Sequence, residues 1–160
     1  MNYTNDIYIL YKRTDATKDT VTAFKNKLTA SHEEGKTTNV VTLKDFVIKD
    51  YDDTLLAEES YFEGSISRLL LCFIDDEFFY DANCRAIWSA FMSRQRNSEA
   101  QLVFPVLIED IVTNNFDISK KEIYIAAETL GFYSIKDEAV TEALRLAITE
   151  SLKTELELNE

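Results

Sequence analysis

Glycine is scarce in this chain: Gly35, Gly64 and Gly131 are the only three in 160 residues. None opens a glycine-rich turn after the first apolar run, which excludes a P-loop and a dinucleotide fingerprint, since both bring bare backbone amides against phosphate. Histidine occurs once, at His32, beside Glu33 and Glu34 in a polar turn. It is read as a surface residue, and no nucleophilic triad can be assembled around it. The two cysteines, Cys72 and Cys84, sit in apolar surroundings without metal-ligand spacing. No metal site is expected from them, and a reduced, cytoplasmic protein is. The longest apolar run, Leu69 to Ile74, falls far short of the roughly 20 residues that span a bilayer, so no membrane association is expected. The opening MNYTNDIYIL lacks the basic start and cleavage site of a signal peptide. Positive charge is also short: 17 Lys and Arg against 29 Asp and Glu leave a net charge of -12. Phosphate binding needs a basic face, so free nucleic acid is not an expected partner.

What is present suits one domain spanning residues 1–160, with 46% hydrophobic content to build its core. Short apolar runs rich in β-branched and aromatic residues occur at 6–11, 39–43, 68–74, 102–108 and 122–127. Stretches of helical spacing separate them: Val21, Phe24 and Leu28; Leu55, Phe62 and Ile66; and, from about Lys136, Val140, Ala143, Leu144, Ala147, Ile148 and Leu152. Five near-continuous strands alternating with helices imply an α/β, flavodoxin-like, doubly wound parallel sheet of order 2-1-3-4-5, flanked by helices. Pro105 inside the fourth run removes a ladder donor, and is expected near a sheet edge or at a bulge. Residues 109–121 are too short and polar for a helix, so one crossover is expected to be irregular.

Ligands of such sheets bind beyond the carboxyl ends of the strands. That rim carries Lys12 to Asp15, Lys44 to Phe46, Asp75 to Glu77, and Glu109 with Asp110. Acids after the third and fourth strands suggest a Mg²⁺ site, but Lys12 and Arg13 at the end of the first would repel the ion. The segment FFYDANCRAIWSAFM, Phe78 to Met92, looks reactive. Its Cys84, Ile87, Trp88 and Phe91 nevertheless recur at i, i+3, i+4 and i+7, the spacing of an inward helix face. Cys84 is therefore read as packing and Asp81 as a helix cap.

Several segments in order resemble the TIR (Toll/interleukin-1 receptor) domain family, in a divergent, bacterial-type form. DIYILYKRTD is similar to the family's first box, with Asp6, Tyr8, Ile9, Tyr11 and Asp15 matching and Leu10 in place of the usual serine. LKDF, Leu43 to Phe46, resembles the start of the BB loop. Ile66 to Cys84 resembles the third strand and the following helix start, and Val103 to Ile111 the fourth strand with its proline. The chain departs from the family's pattern at three further places. Lys49 and Asp50 occupy the region of the BB-loop Pro-Gly, and Asn83 replaces the tryptophan before the cysteine. Ile87 stands where NAD-cleaving members carry their catalytic glutamate, with Ala86, Trp88 and Ser89 around it.

The resemblance implies a signalling or immune-defence module that self-associates or docks to another TIR-like or signalling protein. Phe46, Val47, Ile48 and Tyr51 are the expected interaction surface. No cofactor is required on this reading. The alternative is an enzyme, a glycohydrolase or cyclase that consumes NAD or a related nucleotide. Tyr11, Lys12, Arg13, Asp45 and a degraded pocket at Ile87 would then hold the ligand, with Asp75, Glu77 or Asp81 standing in for the missing acid. A flavodoxin-like binding domain outside the TIR group is the blandest expectation.

Overall fold

Aliphatic and aromatic residues dominate positions 5–10 and 67–74, and these two runs form the centre of one parallel sheet. The computed structural model describes residues 3–29, 43 and 46–158. In chain order the elements are β1 (Asn5–Leu10), α1 (Asp15–Thr29), β2 (Ile48–Asp50), α2 (Ala57–Ser65), β3 (Ser67–Ile74), a 3-10 turn (Asp76–Tyr80), α3 (Ala82–Gln95), β4 (Val103–Leu107), α4 (Ile118–Leu130), β5 (Tyr133–Ser134) and α5 (Val140–Leu158). The strand order is β2-β1-β3-β4-β5, all parallel, as the alternation of runs predicts. From Leu69 to Ile74 every residue of β3 is buried, because helices cover both faces of a central parallel strand.

The pairings hold β1 in register against β3 through Ile7 with Leu69 and Ile9 with Leu71. Helix α1 turns Val21, Phe24 and Leu28 inward, and Phe24 meets Phe73 edge-on at 5.7 Å. Arg145 ties α1 to α5: its Nε donates to the Leu28 carbonyl at 3.0 Å, and its fork also reaches the Lys27 carbonyl and Glu142. These carbonyls are orphans at the end of α1, so a guanidinium there satisfies them and complements the helix dipole.

Three expectations need correction or placing. The run 122–127 is not a strand but the middle of α4, whose Ile123, Ala127 and Leu130 recur at i, i+4 and i+7 toward the core. Asp117 caps this helix by accepting the Lys120 amide at 3.0 Å. Gly131 closes it with φ of 97°, a left-handed conformation that other residues resist. The fifth strand is the two-residue Tyr133–Ser134 instead. Of the run 39–43, all but Leu43 lies outside the described residues. The strand that pairs with β1 is Ile48–Asp50, with Ile7 opposite Ile48 and Ile9 opposite Asp50. The crossover after β4 is irregular up to Asp117, but α4 begins at Ile118, inside the segment expected to lack a helix.

Pro105 sits where its missing donor costs nothing. Ile108 donates its amide to the Ile74 carbonyl and Ile135 donates to the Leu107 carbonyl, so even residues of β4 address β3 and odd ones address β5. The Pro105 nitrogen therefore faces the β5 side, below the point where β5 starts at Tyr133 opposite Val106.

Candidate functional site

The carboxyl ends of β1 and β3 and the start of α3 converge on one ion pair. Lys12, just past β1, donates to Asp81 Oδ1 at 3.1 Å across 69 residues of sequence. The second oxygen of Asp81 accepts the Cys84 amide at 2.8 Å and caps α3. Burial alone would raise the Asp81 carboxyl, but the Cys84 amide and Lys12 outweigh it and hold it below the usual carboxylate range. Lys12 is raised in turn, chiefly by its hydrogen bond to Asp81. Replacing Asp81 with alanine removes cap and ion pair together, and is expected to cost about 1–2 kcal/mol. A leftward shift of the urea midpoint at unchanged slope checks this. The contribution is present above the carboxylate's unfolded pKa and is lost as pH falls through its lowered folded value.

Around this pair, Asn83 Nδ2 donates to the Tyr51 hydroxyl at 3.4 Å, linking the loop after β2 to the start of α3. Arg13 pairs with Asp53 at 3.7 Å. Tyr11, Arg13, Tyr51 and Asp52 share an open groove of about 450 Å³ along the β2 edge. Tyr11 and Tyr51 are themselves buried, and burial raises both hydroxyls.

Ile87 is only 3% exposed, and a Cβ built on Gly64 would stand 3.5 Å from its Cγ2. It thus fills the seam between α2 and α3. The tip also lines a cleft of about 330 Å³ with Ala57, Tyr61 and Asn83, separate from the Tyr11 and Arg13 groove. Cys84 is fully buried and its thiol is pushed up by burial first and by Asp81 second. Asp75 caps the 3-10 turn through the Phe78 amide at 2.9 Å and is raised to about 6, mainly by burial. Glu77 is exposed on that turn. Among the described residues, no group of three or more His, Cys, Asp or Glu side chains could hold a metal ion. No helix there is long and apolar enough to cross a membrane.

No protein-family model matches the sequence, and no curated protein matches it either. Solved structures do. The TIR domain of the Toll-related receptor TRR-2 from Hydra magnipapillata superposes with a TM-score of 0.57 at 11% identity, covering 94% of this chain and 99% of that one. The fold is that of a TIR domain. A second TIR likeness is the structure of the activated Roq1 resistosome directly recognizing the pathogen effector XopQ, with a TM-score of 0.50, 14% identity, and coverage of 94% and 84%.

The segment that joins β2 to α2 is residues 51–56. LKDF, of which Leu43 and Phe46 are described, precedes β2 rather than following it. Asp45 lies outside the described residues. Of the expected interaction residues, Val47 is exposed, Phe46 and Ile48 are half-buried against the core, and Tyr51 is buried. Lys12 and Asp81 meet, and Tyr11 and Arg13 share the β2-edge groove, while Ile87 stands apart in its own cleft. Sequence reasoning missed the polar floor under α2. There the Tyr8 hydroxyl and one Glu63 oxygen are buried without a hydrogen-bond partner, and Tyr8 is raised first by burial and then by Glu63. A tyrosine between isoleucines in β1 was the available signal.

Proposed function

We propose that this chain is a TIR-fold signalling or immune-defence module, cytoplasmic, working through self-association or docking to a partner protein, without the NAD cleavage of catalytic TIR domains. The supporting observation is Ile87. Breaking the nicotinamide–ribose bond builds positive charge that a carboxylate must stabilise. At the position where the resemblance puts that group, a buried isoleucine instead seals α2 against α3. The acids nearest in sequence are committed or remote: Asp81 is tied to Lys12 and the Cys84 amide, and Glu77 is exposed on the preceding turn. The Roq1 structure, a resistosome containing TIR domains, makes assembly a natural output for the fold.

The test has two arms. Purified protein incubated with NAD at high concentration is expected to release no nicotinamide by chromatography. Light scattering over a concentration series is expected to show growth in mass, or a pull-down to recover a partner. Turnover of NAD would overturn the non-catalytic half of the reading. A strict monomer with no partner would overturn the assembly half.

A further inference from the structure

Four of the six arginines are engaged: Arg13 with Asp53, Arg68 with Asp6, Arg94 with the Ser67 and Arg68 carbonyls, and Arg145 with the end of α1. Arg85 and Arg96 have no ion pair and no side-chain hydrogen bond to any described residue. In a chain of net charge -12 with acids to spare, two idle guanidiniums are unexpected. They belong together. Arg85, Ser89, Met92 and Arg96 follow one another at i, i+4, i+7 and i+11, a single stripe of α3. That stripe forms one wall of a groove of about 340 Å³, with Ile123 and Ala126 of α4 opposite and Trp88 in its floor. Glu122 lines the α4 wall without pairing to either arginine. The Nε of Arg85 is already shut off from water and has no acceptor, a cost that an incoming carboxylate would relieve. Arginine beside tryptophan and methionine is the composition of a docking hot spot.

The complementary surface lies on the same chain. Helix α2 exposes Tyr61 and Phe62 at 50% and 60%, with Leu56 just before it at 69%. Its first turn carries Glu58 and Glu59, exposed and without an ion pair among the described residues. Glu58 precedes Tyr61 and Phe62 by three and four residues, so acid and aromatics leave the helix on one side. We infer that α2 of one copy docks into the α3–α4 groove of a second copy, its Glu58 and Glu59 meeting Arg85 and Arg96 while Tyr61 and Phe62 cover Met92 and Ile123. The two surfaces differ and every copy keeps one of each free, so the contact is head-to-tail and extends unless its rotation closes a ring. This rests on the self-association limb of the proposed function and names its surfaces.

The experiment is sedimentation or light scattering of the whole chain across concentration, with far-UV circular dichroism confirming the fold of each variant. Arg96→Glu, at an exposed position, and Arg85→Glu with Arg96→Glu are each expected to shift association to at least about tenfold higher concentration. Glu58→Lys with Glu59→Lys should do the same from the other side. Carrying all four reversals on one chain should restore association. Association of the wild type that ignores these reversals overturns the inference while leaving self-association standing. Loss without rescue by the fourfold chain overturns α2 as the occupant. A wild type that stays monomeric overturns the inference and the self-association limb together.

Discussion

Ile87→Glu is expected to destabilise the protein by about 3–5 kcal/mol and to release no nicotinamide from NAD. The isoleucine is buried in the seam between α2 and α3, against Gly64, with apolar neighbours on its own helix at Cys84, Trp88 and Phe91. A carboxylate there loses its water and finds no cation: Lys12 is already committed to Asp81, and Arg94 to the backbone of β3. A domain of this size holds only about 5–15 kcal/mol of stability, so the loss is a large fraction of the whole. Urea unfolding reads the first half of the prediction and a nicotinamide assay the second. A variant that stays as stable as wild type and turns over NAD would mean the cleft is a catalytic pocket lacking only its acid.

Asp75→Asn is expected to raise stability above pH 6 by about 2–3 kcal/mol. Asp75 is almost fully buried at the end of β3, and burial, with Glu109 and Glu77 nearby, lifts its carboxyl from 3.8 to about 6. The sign follows from linkage. Between those two values the folded state holds a proton that the unfolded chain has released, so stability falls as pH rises through the window and is level above it. Asparagine keeps the oxygen that accepts the Phe78 amide and carries no charge to desolvate. The difference between variant and wild type should vanish near pH 4 and reach its plateau above pH 6. Thermal or urea unfolding at a series of pH values checks it. A variant no more stable at pH 8 than wild type would show that Asp75 ionises there without penalty.

The parts of the fold that the sequence made legible are those where periodicity and burial agree. β1, β3 and β4 are continuous apolar runs because both faces of a central parallel strand are covered. The stripe Cys84, Ile87, Trp88, Phe91 identified α3 and its inward face for the same reason. Edges were harder. β2 is three residues whose outer margin meets solvent, so it reads as less strand-like than the apolar run preceding it. EIYIAA carries the β-branched and aromatic residues of a strand, yet Asp117 supplies a cap just ahead and the inward residues fall four and three apart, which is helix. Of the candidate site, the rim positions after β1 and β3, Lys12 to Asp15 and Asp75 to Glu77, were readable from strand ends, whereas Lys44 to Phe46 were not, since Phe46 precedes β2. Nor were the site's pairings. Lys12 with Asp81 and Tyr51 with Asn83 are made by folding across 69 and 32 residues, and no local spacing encodes them.

Among the described residues, both margins of the sheet are short. On one side β4 turns the nitrogen of its single proline outward and has only a two-residue neighbour; on the other, β2 is three residues long with Lys49 and Asp50 bridged to Glu63 and Lys25. Edges this short offer little backbone to a visiting strand, which discourages edge-to-edge stacking. The head-to-tail contact inferred above would accordingly be joined by side chains of helices, and salt or a single reversed charge would undo it.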